Sequence, residues 1–275
     1  MTAPVNHTPA RKGARLASQA LEAVRYTSLI RNLVAKDLKV RYKNSALGFL
    51  WSLLNPLLMM VVFTFVFTQL LNQHIPDFPV FVLVALLPWN WCATAISGGT
   101  TMLVDNASLI NKVYFPRVLL PVSGVLSTGV NYVLSLPALF LIMAAFGSPF
   151  TPWIVMIPVV VLTQALFLIA LVLILAPLNV YFRDTMVLVE VGLTAWFFMT
   201  PVFYDVQSIV SPALAAWMYR LNPMAAIIEE YRIILYHGAV PDPLFMGRAL
   251  MTSLVLLIVG YLVFTRLSRN LGEHL

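Results

Sequence analysis

Charged residues are scarce in this sequence, and long stretches hold none at all. Of the 275 residues, 10% are Asp, Glu, Lys or Arg, whereas 60% are hydrophobic. Soluble domains average about 25% charged residues. The longest stretches without a charged residue or a histidine are 44–73, 78–104 and 118–182. A bilayer core takes about 20 apolar residues per helix, so this composition excludes a soluble domain and indicates an integral membrane protein.

Residues with catalytic or metal-binding chemistry are also few and scattered. Cys92 is the single cysteine, which excludes an intramolecular disulfide and a cysteine-rich metal site. The four histidines, His7, His74, His237 and His274, suggest neither a metal cluster nor a nucleophile–base pair. None of the 12 glycines begins a GxxxxGK[ST] phosphate loop. We therefore expect a chain that is not an enzyme, that holds no metal or cofactor, and that takes energy from a partner or a gradient.

Six apolar segments are long enough to cross a bilayer as helices. The turn GSPFTP at 147–152 divides the longest uncharged stretch into two segments. Prolines inside the segments predict kinked, bundled helices. The sequence thus predicts an all-α integral membrane fold, with a mobile tail over 1–24 and one transmembrane domain over 25–275. The predicted spans are 46–71, 78–103, 118–146, 153–181, 185–203 and 245–266.

Lysine and arginine are unevenly divided between the two sides of these spans. Fourteen of the 17 lie before the first span or in loops on the same side, and three, Arg220, Arg232 and Arg248, lie on the other. Six spans place both termini on one side, which the positive-inside bias makes cytoplasmic. The net charge of +6 therefore reflects topology and contact with anionic lipids, and predicts no nucleic-acid partner. The first residues lack the apolar core of a cleavable signal, so we expect the tail to stay on the mature protein.

An amphipathic segment, residues 26–44, precedes the first span. It is predicted to be a helix lying along the cytoplasmic surface of the membrane. Its basic end, Lys39, Arg41 and Lys43, either anchors the helix passively or faces an anionic ligand near the entrance to the bundle. Arg183, in the turn after the fourth span, is either a stop signal or part of the same entrance. The apolar face consists of Leu29, Ile30, Leu33, Val34 and Leu38.

The polar insert between the second and third spans is too long for an ordinary turn. About fourteen residues separate the spans, whereas two to eight suffice for neighbouring helices. The insert predicts a short helix over 106–114, ended before Pro116 because a residue that precedes proline is pushed out of the helical region. The insert is either a basic loop that only sets the topology, or a helix on which a soluble motor protein docks. The docking residues would be Ser108, Leu109, Ile110, Asn111, Lys112, Val113 and Tyr114.

The longest segment on the far side, 204–244, predicts a helical hairpin. Ser211-Pro212 and Asn222-Pro223 have the pattern of helix starts. The second helix carries an apolar stripe, with Glu229, Glu230 and Arg232 mostly off it. We expect the hairpin to dip back into the outer leaflet and to cover the exit of a pathway. The stripe residues proposed as a gate are Met224, Ile227, Ile228 and Tyr231.

Five residues are candidates for lining such a pathway. Glu190 lies about 9 Å deeper than Asp184 at the helical rise, and faces either a polar cavity or headgroup water. The aromatic candidates either face lipid or line a sugar pathway, where ring faces contact the apolar faces of pyranoses. They are Phe63, Phe67, Trp196 and Phe197.

The order of the motifs has a familiar pattern. After the basic helix come GFLWSLLNPLL, LLPWNW, NASLINKVYFPRVLLP, YFRD, TPVFY and LNP. From about Arg25 to the C-terminus this order resembles the type 2 ABC transporter permeases that export bacterial polysaccharides. The resemblance implies a homodimer of six-span subunits in the bacterial inner membrane, docked on two copies of a cytoplasmic ATPase that binds ATP and Mg. It also implies outward movement of a polyprenyl-pyrophosphate-linked glycan such as O-antigen, teichoic acid or galactan.

The resemblance also assigns roles within the chain. The insert looks like a coupling helix that seats in the ATPase, and the hairpin looks like the external gate. Lys39, Arg41 and Lys43 would match the basic approach for a lipid pyrophosphate, and aromatic residues of the first and fifth spans would line the channel.

Two other classes of function remain open at this point. An exporter of a smaller lipid or drug-like substrate would share the fold. A gradient-driven carrier would need buried ion-binding groups, for which Glu190 alone is poor support. A membrane glycosyltransferase would need a constellation of catalytic acids or histidines, which the sequence does not suggest.

Overall fold

The structure, a computed structural model, describes residues 26–40, 50–71, 75–112 and 115–268. All regular structure in these ranges is helical, which confirms the predicted all-α class. A π-helical turn, Phe65–Leu70, extends α2; a second, Arg232–Tyr236, extends α10; and a 3-10 turn, Pro152–Met156, precedes α6. The tail predicted over 1–24 lies outside the described residues. The helices are α1 (26–40), α2 Leu50–Thr64, α3 Phe78–Asp105, α4 Ala107–Lys112, α5 Leu119–Ala145, α6 Ile157–Tyr181, α7 Thr185–Met199, α8 Val206–Ile209, α9 Pro212–Leu221, α10 Pro223–Tyr231 and α11 Pro243–Leu267.

Within the described ranges, five helical segments are long and apolar enough to cross a membrane. They are Leu53–Leu70, Phe78–Asp105, Leu119–Ala145, Pro152–Tyr181 and Pro243–Leu267. These correspond to five of the six predicted spans, so the chain is an integral membrane protein.

The remaining predicted span, 185–203, is shorter in the structure than in the prediction. Only Thr185–Met199 is helical, and its 15 residues rise about 22 Å, less than the ~30 Å of a bilayer core. The helix ends because Thr200, with φ −101° and ψ 131°, takes the extended conformation that a following proline imposes.

The prolines of the spans fall into two groups. Pro56, Pro88, Pro137 and Pro177 lie inside α2, α3, α5 and α6, where each removes a helical hydrogen bond and favours a kink. Pro121 and Pro158 lie in the first turn of α5 and α6, where the N–H groups have no intrahelical partner in any case. These two positions therefore give no reason for a kink.

Helix α6 is the centre of the bundle, packing against α11, α3 and α5. At the contact with α11, the backbones of the two helices lie against each other. A Cβ atom added at Gly260 would lie 2.5 Å from the backbone oxygen of Ala170. On the other side of α6, a Cβ at Gly99 of α3 would overlap the side chain of Val172. Glycine is therefore required at both crossings.

The two ends of the bundle carry different elements. One end, named here the α4 side, holds α4, the start of α5 and the ends of α6 and α11. At this end the Arg117 guanidinium donates a hydrogen bond to the backbone oxygen of Ser268 at 2.8 Å, and the Tyr181 hydroxyl donates to that of Leu267 at 2.8 Å. The last carbonyls of a helix lack intrahelical partners, so these two bonds tie the end of α11 to α5 and α6. The opposite end, named the hairpin side, holds the starts of α3, α6 and α11 together with α8, α9 and α10.

Candidate functional site

Helix α4 forms where the sequence predicts a short helix. Leu109 and Ile110 are half-buried and pack on the cluster of buried apolar residues at this end of the bundle. Ser108 and Lys112 are exposed. The backbone of Asn111 belongs to α4, while Val113 and Tyr114 lie outside the described residues. Helix α4 thus presents a polar surface while its apolar side chains fix it to the bundle.

Helix α1 is tied to the same end of the bundle. Lys36 donates a hydrogen bond to the side-chain oxygen of Asn106, between α3 and α4, at 3.5 Å. The Ser127 hydroxyl of α5 donates to a carboxylate oxygen of Asp37 at 2.5 Å. The predicted apolar face of α1 is half-buried along its length. Helix α1 therefore contacts both the junction that carries α4 and a spanning helix.

The predicted entrance residues are only partly within the described chain. Lys39 is exposed on α1, and Arg183 is exposed in the turn between α6 and α7. Arg41 and Lys43 lie outside the described residues. Both described cations are therefore accessible at the α4 side.

Three of the predicted pathway aromatics meet in one cluster. Phe63 of α2, Phe67 of its π-helical turn and Phe197 of α7 all contact Phe203, with ring centroids 5.9, 4.9 and 5.6 Å from that of Phe203. All four side chains are half-buried. In the single chain these rings pack on one another at the edge of the bundle, where α2 and α7 expose apolar side chains.

Trp196 marks a deep contact with the hairpin. Its indole N–H donates to the side-chain oxygen of Asn222, between α9 and α10, at 2.9 Å. The Asn222 amide in turn donates to the Thr200 hydroxyl at 3.0 Å. The Trp196 ring meets Trp89 edge-on at 5.7 Å, and Trp89 lies about 16 Å along α3 from Phe78 at the helical rise. The junction of α9 and α10 therefore lies well below the hairpin-side end of α3.

Helix α10 rises from this junction between α3 and α6. The Tyr231 hydroxyl donates to the side-chain oxygen of Gln164 at 3.1 Å, and the Gln164 amide donates to the backbone oxygen of Pro88 at 2.8 Å. At the end of the π-helical turn, the Tyr236 hydroxyl donates to the backbone oxygen of Pro76 at 2.6 Å. The stripe residues Met224, Ile227, Ile228 and Tyr231 are each 0% exposed.

Three charged residues of the hairpin are buried as well. Arg232 donates to the backbone oxygen of Val202 at 2.8 Å, and its guanidinium lies 3.8 Å from the centre of the Phe81 ring. Burial raises the pKa of Glu229, and the nearby Arg232 opposes that rise. Glu230 is 1% exposed, and neither of its carboxylate oxygens has a hydrogen-bond partner within the described ranges. Burial raises the pKa of Glu230 to about 8, so it is protonated at neutral pH.

Comparison with known proteins identifies the family. Residues 28–236 match the family described as ABC-2 type transporter. The chain belongs to the ABC-2 type transporter family. It is 40% identical over 254 residues to the O-antigen export system permease protein RfbA of Myxococcus xanthus, a match that covers 92% of this chain and 98% of the relative. The family predicted from the motifs is thus confirmed.

Two further relatives cover similar shares of this ABC-2 transporter chain. An O-antigen export system permease protein RfbA of Klebsiella pneumoniae is 32% identical over 241 residues, covering 87% of this chain and 92% of the relative. The polysialic acid transport protein KpsM of Escherichia coli is 23% identical over 245 residues, covering 86% of this chain and 92% of the relative.

The burial of three charged residues of the ABC-2 transporter chain adds to the interpretation of the sequence. The sequence places Glu229, Glu230 and Arg232 mostly off the apolar stripe, and the structure shows that all three are also buried. The sequence contains a signal for this burial: apart from these three charged residues, all residues from Pro223 to Tyr236 are apolar or aromatic. A helix that is apolar all round is buried on every side.

Gln164 is a residue of the site that no pattern in the sequence predicts. Glu190, a predicted pathway residue, lies apart from the cluster of rings. Gln164 is 0% exposed and connects α10 to α3 through its two hydrogen bonds. Glu190 is exposed on α7, six residues before Trp196. The roles predicted for Glu190, for the aromatic candidates and for the gate residues stay predictions.

The buried acid predicts a pH-dependent stability. The pKa of Glu230 rises from 4.5 to about 8 on folding, so between those values the folded state holds a proton that the unfolded state has lost. The free energy of unfolding therefore falls as the pH rises through this range. We expect Glu230→Gln to lose part of this dependence, by a few degrees in unfolding temperature between pH 6 and pH 9.

Thermal unfolding of the purified chain at several pH values measures this effect. Glu190→Gln, which changes an exposed acid, is the matched control and should keep the wild-type slope. Identical slopes for Glu230→Gln and the wild type would contradict the assignment.

Proposed function

We propose that this chain is the membrane subunit of an ABC-2 exporter that moves a polyprenyl-pyrophosphate-linked polysaccharide across the bacterial inner membrane. The observation that carries the proposal is 40% identity to an O-antigen export permease over nearly the whole length of both chains. The helices support it, because a bundle with a buried hairpin at one end and an exposed polar helix at the other suits a vectorial transporter.

The proposed orientation places the α4 side in the cytoplasm. Exposed cations at this end include Lys39, Lys112, Arg183 and Arg266, and such residues concentrate on the cytoplasmic side of membrane proteins. We take α7, continued by the segment to Phe203, as the sixth crossing, so that both termini are cytoplasmic. The hairpin of α9 and α10 then re-enters the membrane from the outside.

In the proposed assembly, α4 is the contact for a separate ATP-binding subunit. Ser108 and Lys112 are available to a partner, while Leu109 and Ile110 hold α4 on the bundle. Because Lys36 of α1 is hydrogen-bonded to Asn106 at the start of α4, a movement of α4 would also move α1. ATP and Mg belong to the partner, and two copies of this chain with two of the partner would form the transporter.

The proposed route for substrate begins at the basic end of α1. Lys39, with Arg41, Lys43 and Arg183, would attract the pyrophosphate through charge-assisted contacts. The glycan would then pass the rings around Phe203 and leave where α10 is now packed. Helix α10 must move for this exit to open, because its apolar stripe fills the space between α3 and α6.

The coupling role of α4 gives a direct test of the proposal. In cells with the ATP-binding subunit and the polymer-forming enzymes, Lys112→Glu should lower export several-fold, because it reverses a charge on the proposed contact. Export is measured as polysaccharide on the cell surface, and docking as ATP-binding subunit that copurifies with the chain. Lys112→Arg, which keeps the charge, and Arg266→Glu, elsewhere on the α4 side, are the controls.

Two results would count against the proposal in different ways. Unchanged export and unchanged copurification in Lys112→Glu would remove α4 from the contact. If a strain lacking this chain shows normal surface polysaccharide but loses efflux of a smaller lipid, the substrate class is wrong.

A further inference from the structure

A cleft opens on the hairpin side between α9, α10 and the start of α11. Its wider part has a volume of about 460 Å³ and is lined by Tyr219, Phe245, Arg248 and small apolar residues of α9. A second part of about 110 Å³ shares Tyr219 and Arg248 and adds Arg220 and Thr252. The two parts adjoin at Tyr219 and Arg248, and together they are named here the hairpin cleft.

Both arginines of the hairpin cleft rest against aromatic rings. The Arg248 guanidinium lies 5.1 Å from the centre of the Phe245 ring, and that of Arg220 lies 5.4 Å from the centre of the Trp217 ring. A guanidinium beside a ring is held by cation–π attraction and keeps its N–H donors for a planar or tetrahedral anion. The cleft thus combines two strong donors with apolar ring surface.

The depth of Arg220 restricts what can fill the cleft. Arg220 is exposed and lies two residues before Asn222, the residue that Trp196 contacts well below the end of α3. A charged side chain at such a depth faces a polar cavity or a partner rather than lipid tails. The hairpin cleft is therefore better suited to water or an anionic ligand than to acyl chains.

The buried acid next to the cleft does not neutralise Arg248. Glu230 lies on the same side of α10 as Pro223 and Ala226, which line the cleft. The positive charge of Arg248 lowers the pKa of Glu230, but burial raises it by more. Neither carboxylate oxygen of Glu230 has a hydrogen-bond partner within the described ranges, so Glu230 makes no hydrogen bond to Arg248. The positive charge of Arg248 thus remains available to a ligand.

We propose that the hairpin cleft binds a phosphate group, with Arg220 and Arg248 as its ligands and the Phe245 ring beside the carbon atoms attached to it. Arginine pairs with phosphate through parallel N–H···O bonds, which an ammonium group does not match. The phosphate belongs either to a phospholipid headgroup on the hairpin side or to the transported glycolipid. Only the second source rests on the proposed function.

The test uses the chain with its ATP-binding subunit in nanodiscs. In one arm, nanodiscs contain phosphatidylcholine and phosphatidylglycerol, and the phosphatidylglycerol retained after purification is measured by mass spectrometry. In the other arm, farnesyl pyrophosphate is titrated into nanodiscs of phosphatidylcholine alone. In this arm every chain also carries glutamine at Lys39, Arg41, Lys43 and Arg183, so that the proposed entrance does not bind the probe. Arg220→Gln/Arg248→Gln should weaken one of these interactions by roughly tenfold or more, the loss expected for a charged hydrogen-bonding group.

Two further variants make the result decisive. Arg266→Gln, at the other end of α11, removes one positive charge without touching the cleft and should bind as the wild type does. Arg220→Lys/Arg248→Lys keeps both charges, so it tests the site even if the glutamine variant does not fold. It should still bind several-fold more weakly, because it lacks the parallel N–H pairs.

The outcomes separate the two sources of phosphate and the proposed function. Loss confined to phosphatidylglycerol supports a lipid site, and loss confined to farnesyl pyrophosphate supports a substrate site. Wild-type affinity of the arginine variants in both arms overturns the site, even if the wild-type complex exports polysaccharide. Arginine-dependent binding in a complex that exports no polysaccharide upholds the site and overturns the function.

Discussion

Replacing Gly260 with alanine is expected to lower the unfolding temperature of the chain by about 5–10 °C. The added Cβ would lie 2.5 Å from the backbone oxygen of Ala170, and backbone cannot turn aside as a side chain can. Helices α6 and α11 would have to separate along their contact. Overpacking of this kind costs about 1–3 kcal/mol or more, which corresponds to several degrees in a chain of this size.

A second glycine of α11 provides the control. A Cβ at Gly247 would have nothing within 4 Å, and alanine is the better helix former by about 0.5–1 kcal/mol. Gly247→Ala should therefore unfold at or slightly above the wild-type temperature. Thermal unfolding followed by tryptophan fluorescence compares the two variants, and equal temperatures would show that the α6–α11 crossing tolerates a side chain.

A cysteine in place of Ile228 is expected to change from fully shielded to reactive when the transporter works. Ile228 is 0% exposed between α10 and the spans, so an impermeant thiol reagent added outside should not reach it at rest. If α10 opens the exit, substrate and ATP together should expose it. The background carries Cys92→Ala, which removes the one native thiol.

Val240→Cys is the matched control for this experiment. Val240 is 61% exposed in the segment between α10 and α11, so the reagent should label it both at rest and during transport. Labelling of Ile228→Cys at rest would show that α10 is not packed as described. Shielding under both conditions would show fixed packing, and the gate role would be lost.

The spans could be predicted because each is a local property of the sequence. A stretch without charges that is long enough for a bilayer needs no knowledge of its neighbours, and GSPFTP at 147–152 marks a turn by itself: Gly147, at φ 71°, takes the conformation that favours glycine. The end of α7 is predicted at 203 rather than at Met199, although Thr200-Pro201 is present in the sequence. The apolar residues beyond the proline extend the predicted span, whereas in the structure the proline ends the helix through its effect on the preceding residue.

The site could not be predicted to the same degree, because its contacts join distant parts of the chain. Tyr231 and Gln164 are 67 residues apart, and Arg117 and Ser268 are 151 apart. No local period relates such pairs. The burial of Glu230 depends on the spans that surround α10, so the stripe pattern alone does not predict it.

The crossing of α11 over α6 also sets the order in which the chain can be completed during synthesis. Gly260 of α11 packs on the backbone of Ala170, so this face of α6 stays uncovered until α11 has been made and inserted. Until then, one face of α6 is exposed to lipid. The packing of the bundle is therefore finished late in synthesis, and a chain truncated before α11 would leave α6 without its main partner.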